Sequence, residues 1–254
     1  MSSGSNEVAA NLARIREGIE RAAARAGRSA EEITLVAVSK THSAAQIREL
    51  NEAGVRHFGE NRVQEWQEKR VELADLDATW HMIGHLQSNK AARAVHLFDT
   101  VDTVDTLAIA ERLDRAKAEF ATEGAATRKK SRIFNSEVRA TRLPVLIEVK
   151  LDPNTMKSGA SSEELPRLVE AVLRLPLLDL RGLMGVPPYS DDPEQARPYF
   201  RCLRELRDLF RNRMGREVLP SLSMGMSHDF EVAIEEGATE IRIGTALFGE
   251  RRKA

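Results

Sequence analysis

Eight short apolar runs, each followed by turn residues, constrain this chain more than any other feature. They are ITLVAVS (33–39), VRHFG (55–59), WHMIG (80–84), LFDTV (97–101), VLIEVKL (145–151), LRGLMGV (180–186), SLSMG (221–225) and IRIGT (241–245). Runs of this length without strict alternation suit strands buried on both faces, as in parallel sheets. Helical patterns fill the gaps, and strand–helix alternation implies parallel pairing. Eight such units predict a closed (β/α)8 barrel, with an open doubly wound sheet as the alternative.

The helices carry recognisable ends. Ser43 and Gln46 are spaced as a capping box with Gly54 as the stop, and Ser161 with Glu164 repeats the box. Asp192 precedes Pro193 at a first helical position, and Ser227 is expected to cap a helix that stops at Gly237. Before the first strand an extra N-terminal helix is expected, with Leu12, Ile15, Ile19 and Ala23 on one face. Residues 121–143 fit poorly: six bases, two acids and little helical period suggest a mobile surface excursion. Its basic run RKK is read as a solvated loop, with contact to an anionic partner as the other reading. No composition break divides the 254 residues, so one domain over 1–254 is expected.

Composition matters mainly for what it excludes. A formal net charge of −1 argues against a dedicated nucleic-acid binder. The single cysteine, Cys202, leaves no intrachain disulfide or Cys-based zinc site and is expected in a helix core. No run reaches the roughly 18 apolar residues of a membrane span, and no signal core opens the chain. A cytoplasmic protein without membrane contact is expected.

In such barrels active sites gather at the C-terminal strand ends. Those ends offer Lys40, Glu60 and Asn61, GHLQSNK, Asp102, Lys150, GVPPYS, SMGMSHD and RIGTALFG. The seventh and eighth loops bring Ser223, Ser227, Gly244 and Thr245 together as small or hydroxylic residues, which suit phosphate. Ordinary turn chemistry would need the same residue types. In EIRIG, Ile241 and Ile243 share one face and Arg242 takes the other. An inward guanidinium needs an acceptor, either a core acid or a ligand atom. Lys40 ends an apolar strand and is either salt-bridged or a desolvated, nucleophilic amine. His81 alternates with Trp80 and Met82 and is read as a hydrogen-bonded core residue; His81 and His85, four apart across a strand end, lack a convincing metal-ligand arrangement.

The motifs VAVSKTHS, HFGENRVQEW, WHMIGHLQSNK, GLMGVPPYSDD and LSMGMSHDFEVAIEEGATEIRIGTALFGER together resemble the pyridoxal-phosphate homeostasis proteins, from about residue 6 onward. The resemblance implies a barrel of the alanine racemase N-terminal type (fold type III) binding pyridoxal 5′-phosphate (PLP). It makes Lys40 the Schiff-base lysine and Arg242 the arginine facing the pyridine nitrogen. Ser223, Ser227, Gly244 and Thr245 become the phosphate cradle, and Asn61 and His81 pocket-lining residues. No catalytic or metal-binding residue is assigned.

Three functions compete. A carrier would hold PLP and supply apo-enzymes without substantial amino-acid turnover; a racemase would act on small amino acids; a Schiff-base aldolase would need no cofactor. The last leaves Arg242 and the paired loops less well explained. Alanine racemases of this type add a large C-terminal β-domain that completes the site across a dimer, whereas nine residues follow Thr245 here. A second acid/base group is not evident, with Tyr189 the best residual candidate. The expectation is a monomeric, non-catalytic PLP carrier.

Overall fold

The computed structural model describes residues 3–127, 142–152 and 158–249. Its strands are β1 (Thr34–Val38), β2 (His57–Glu60), β3 (Thr79–Met82), β4 (Thr100–Val104), β5 (Leu143–Val149), β6 (Leu178–Gly185), β7 (Ser221–Ser223) and β8 (Glu240–Ile243). All pair in parallel in sequence order and close into a barrel, with β1 on β8 through Leu35↔Ile241 and Val36↔Arg242. The (β/α)8 expectation holds, and the doubly wound alternative does not.

Alternation along the strands sorts two environments. Ala37, Phe58, Met82, Val101, Leu222 and Ile241 face outward and join the core beneath the helices. Their neighbours in sequence turn inward, and many of those are polar: His81, Asp102, Ser223, Glu240 and Arg242 are all buried. Barrel interiors are usually filled by branched aliphatic side chains. A charged interior therefore marks where this chain departs from pure packing.

The helices are α1 (Ser3–Arg25), α2 (Ala44–Glu52), α3 (Val63–Lys69), α4 (Ala91–Leu97), α5 (Leu107–Thr127), α6 (Leu165–Leu173), α7 (Arg197–Met214), α8 (Phe230–Glu235) and α9 (Thr245–Phe248). The extra helix α1 buries Leu12, Ile15, Ile19 and Ala23 and packs on α2, α8 and α9. Arg25 reaches Glu231 and Glu235 on α8, and Asn11 Nδ2 donates to the Leu247 carbonyl at 2.9 Å. Ser43 and Gln46 form their capping box, and Asp192 caps a 3-10 turn that leads into α7.

Several expectations need correction. The stretch 121–143 is not wholly an excursion: α5 continues to Thr127 and β5 opens at Leu143. Residues 128–141, with the RKK run, lie outside the described residues. Cys202 is exposed, because α7 buries the face of Phe200, Leu203, Arg207 and Phe210 instead. The Ser161–Glu164 box forms, but in a turn that precedes α6. Ser227 does not cap α8; Asp229 occupies that position. No described helix is long and apolar enough to cross a membrane.

Candidate functional site

Lys40 follows β1 by two residues and is half-buried at the C-terminal end of the barrel. The register places Val36 beside Arg242, so Lys40 stands four residues further toward the mouth on the neighbouring strand. Ser39 anchors the strand end, its N–H donating to the Gly59 carbonyl at 2.9 Å and its Oγ to Glu60 Oε1 at 2.7 Å. Glu60 is fully buried, and burial raises its pKa while Lys69, 2.7 Å from Oε1, pulls it back.

The loops after β7 and β8 meet beside this end. Gly225 turns the first with φ 95°, and a Cβ there would lie 2.6 Å from that of Ala233, so only glycine fits the turn. Ser227 Oγ then accepts the N–H of Ala246 at 3.2 Å, which ties the β7 loop to the first turn of α9. Gly244 runs along β1, where a Cβ would rest 3.4 Å from Val38 Cβ. Thr245 is exposed at the start of α9. The structure thus brings Ser227, Gly244 and Thr245 together at the end of the strand that carries Lys40.

Ser223 belongs to a deeper layer than the cradle expected for it. Its Oγ accepts from Arg242 Nη1 at 2.6 Å and donates to Glu240 Oε1. Arg242 also donates from Nη2 to the Gly185 carbonyl at 3.0 Å. Among the described residues it makes no direct ion pair, so its charge is balanced at longer range. Burial presses its pKa down, and Glu240, Asp102, Glu148 and Asp229 pull it back. Both readings of its acceptor were incomplete: a hydroxyl and a carbonyl hold it, with acids behind them.

The chain of polar contacts continues below. His81 Nδ1 lies 2.8 Å from Asp102 Oδ2 and 3.9 Å from Glu240 Oε2, and Thr100 donates to the other Asp102 oxygen at 2.7 Å. His81 Nε2 lies 3.0 Å from His57 Nδ1. Burial alone would lower the His81 pKa, but Asp102 outweighs it through charge and hydrogen bond and lifts it to about 9. His57, half-buried and facing that charge, falls to about 4. The pair therefore reads as an imidazolium that donates to Asp102 and to a neutral His57. Glu240 is pushed up by burial and by Asp102.

Asp102 was expected at the mouth but sits inside, because β4 extends to Val104 rather than ending near 101. One ligand-capable atom each from His81, Asp102 and Glu240 fall within 4.8 Å of one another, a convergence that linear spacing did not reveal. Asn61 leaves β2 half-buried and touches the next strand's exit: a Cβ on Gly84 would stand 2.2 Å from the Asn61 carbonyl oxygen. His85 pairs with Asp105 at 3.3 Å, and His228 Nε2 lies 2.8 Å from the Asp191 carbonyl oxygen; both histidines are exposed loop residues. A cavity of about 830 Å³ opens at the opposite, N-terminal end of the barrel, touching His81, Asp102 and Glu240. None of Lys40, Ser227, Gly244 and Thr245, at the C-terminal strand ends, lines it.

Glu240 and His57 were not singled out from the sequence. Glu240 shares the parity of Arg242, and extending the same alternation by one step would have placed it inward. His57 carried no comparable signal.

Comparison with known proteins agrees with this geometry. Residues 10–252 match the family model described as alanine racemase, N-terminal domain. A pyridoxal phosphate homeostasis protein of Aquifex aeolicus is 43% identical over 241 residues, covering 95% of this chain and 97% of that one. The structure of PipY from Synechococcus elongatus with PLP bound superposes with a TM-score of 0.75 at 38% identity, covering 95% of this chain and all of that one. An alanine racemase of Clostridium difficile shares the fold alone, with a TM-score of 0.70 at 14% identity over 98% of this chain and 58% of that one. A closed eight-stranded barrel, the two joined loops beside Lys40 and these relatives along nearly the whole chain lead to one assignment: the protein belongs to the pyridoxal phosphate homeostasis protein family.

Proposed function

We propose that this protein holds PLP at the C-terminal mouth of the barrel through a covalent bond to Lys40 and supplies it to apo-enzymes, with negligible amino-acid turnover. The observation that carries the reading is the convergence of β1, β7 and β8. Their ends deliver Lys40, Ser227, and Arg242 with Gly244 and Thr245, joined by the Ser227–Ala246 bond. This donor set suits the cofactor: an amine for an aldehyde, hydroxyl and backbone N–H groups for a phosphate, and a buried guanidinium for an accepting ring nitrogen. PipY, which has been solved with PLP bound, supports the same choice. Ser223 holds Arg242 and so contributes from beneath the cradle, while Asn61 and His81 line the strand exit and the interior below it.

When bound, PLP supplies an electrophilic aldehyde and a conjugated ring that can delocalise negative charge. Lys40 Nζ would hold the group through its aldehyde, by a bond whose formation releases water and which hydrolysis would reverse for release. Arg242 would face the ring nitrogen as a donor; burial presses its pKa down, but Glu240, Asp102, Glu148 and Asp229 pull it back, so it would keep its own proton. That nitrogen would then stay unprotonated, and the ring would supply only a weak electron sink. Racemisation would also need a second acid/base group opposite Lys40. Tyr189 is 78% exposed and its hydroxyl donates to Asp191, whose hydrogen bond raises the phenol pKa. Tyr199 sits on α7, outside the barrel. These placements favour holding and release over turnover. The reading implies a cytoplasmic monomer acting as a single PLP-binding unit.

Borohydride reduction of the PLP-loaded protein followed by peptide mapping tests the site. The pyridoxyl label is expected on Lys40; a label confined to Lys90 or Lys150 would overturn the assignment. Incubation with L-alanine, following chirality and keto-acid release, tests the carrier role. Turnover of about 1 s⁻¹ or more, lost in Lys40→Ala, would replace it with the racemase reading.

A further inference from the structure

Lys40 occupies the second position of a four-residue turn, Ser39–His42, closed by the His42 N–H on the Ser39 carbonyl at 3.1 Å. The third position, Thr41, adopts φ 66°. A turn with positive φ at that position favours glycine, and a β-branched threonine is a poor occupant. Local preference therefore does not hold this turn, and support must come from outside it.

That support is concentrated on α3. Lys69 Nζ donates to the carbonyls at both ends of the turn, Ser39 at 2.9 Å and His42 at 3.4 Å. It also pairs with buried Glu60 at 2.7 Å, and its side chain is only 10% exposed. Glu65, one helical turn earlier, accepts the Thr41 N–H between those two points. On the far side the His42 ring stacks on Phe248 of α9, with centroids 4.0 Å apart and planes 12° from parallel. The strained turn is thus fastened to α3 at three backbone groups and to the β8 loop by one ring.

We infer that Lys69, seated on Glu60 and assisted by Glu65, is the positioning residue for Lys40, clamping the Ser39–His42 turn in its left-handed form so that the Lys40 amine meets the cofactor aldehyde. The inference rests on Lys40 being the covalent attachment point. Lys69 acts through the backbone, its own amine being committed to the Ser39 and His42 carbonyls and to Glu60, with Glu65 Oε1 3.7 Å away. In forming that attachment one C=N bond at Lys40 would replace the aldehyde C=O bond, and the oxygen would leave as water with the two protons of the neutral amine.

The test measures how fast a borohydride-trappable label appears on Lys40 after apo-protein is mixed with PLP, alongside equilibrium retention of PLP. Lys69→Met is combined with Glu60→Gln so that no buried carboxylate is left without its cation. The double variant should label Lys40 about tenfold or more slowly, since a small misplacement of a reacting group carries a cost of that order. Adding Thr41→Gly should restore much of the rate, because glycine accepts the turn unaided. That rescue separates positioning from general damage. Glu65→Ala, a change on the helix surface, should slow labelling in the same direction by about two- to threefold, and it decides the matter if the double variant does not fold. Wild-type rates in the folded variants would overturn the clamp while leaving Lys40 as the attachment point. Failure of wild-type protein to label Lys40 would overturn both.

Discussion

Replacing Asp102 by asparagine isolates the buried imidazolium. Asp102 is 1% exposed and accepts from His81 and Thr100, so Asp102→Asn keeps the shape and one acceptor oxygen for His81, removes the charge, and presents to Thr100 an N–H that its hydroxyl can accept by rotating. With that charge in place the His81 pKa is lifted from 6.5 to about 9. A raised histidine contributes stability that is complete below its unfolded value of 6.5 and is lost as pH rises through 9. At about 1.4 kcal/mol per pH unit the contribution is on the order of 3 kcal/mol. His57 carries the opposite sign: its pKa is lowered to about 4, so its contribution is complete above 6.5 and is lost as pH falls through 4. Together the two histidines place a stability maximum near pH 6.5. In a domain of this size each kcal/mol moves Tm by about 2–4 °C, so Asp102→Asn should lower Tm by roughly 6–12 °C at pH 6. The more specific result is the loss of slope: wild-type Tm should fall between pH 6.5 and 9 through this group, and the variant should lack that component. Thermal unfolding of both proteins across pH 5–9, with histidine NMR titration, measures it. Parallel Tm profiles, or a His81 that titrates near 6.5 in the wild type, would refute the reasoning.

Three further outcomes are expected. Gly84→Ala places a methyl 2.2 Å from the Asn61 carbonyl oxygen and must displace the exits of β2 and β3; PLP affinity by fluorescence titration should drop by about tenfold, the scale of one lost good contact, and unchanged affinity would remove Asn61 from the site. Trp66→Ala removes a 2% exposed ring that stacks on Trp80 at 3.8 Å and donates to the Leu97 carbonyl. Urea unfolding should show a loss of about 3–5 kcal/mol, and a loss near zero would mean the outer layer is not packed as described. Ser227→Ala frees the Ala246 N–H and should weaken PLP by about tenfold while leaving pyridoxal, which lacks the phosphate, little changed; equal losses for the two would disconnect Ser227 from the phosphate.

The outward layer was legible because parallel strands buried on both faces need near-continuous apolar runs. The same criterion misled at β4. Thr100 and Asp102 face inward and are polar, so the apolar run at 97–101 drew the strand three residues early and Asp102 out to the mouth. Parity alone turned Arg242 inward, whereas its partners come from β6 and β7 and could not be read from spacing along one strand. Ser227 shows the same limit. A serine before a helix is locally indistinguishable from a cap, and its bond to Ala246 spans 19 residues of sequence. The strand count placed Lys40, Gly244 and Thr245 at the ends of the first and eighth strands, which barrel closure makes neighbours. It could not show that Ser223 is engaged by the arginine.

The β1–β8 pairing has a consequence for how the molecule becomes competent. Lys40 and Arg242 lie at opposite ends of the sequence, and only this seam makes them neighbours. β8 is the last of the eight strands in chain order, so during synthesis the seam is the last barrel contact that can form. Until it closes, Lys40 and the other groups proposed to receive the cofactor exist on separate pieces of an open sheet. The helix α1 spans the same seam, packed on α2 to one side and on α8 and α9 to the other. A ligand held by both sides would bind the closed barrel and not the open sheet, and would shift the balance toward closure as its concentration rises above Kd. Binding there would add to the stability of a barrel already closed without it, by an amount that grows as free ligand exceeds Kd.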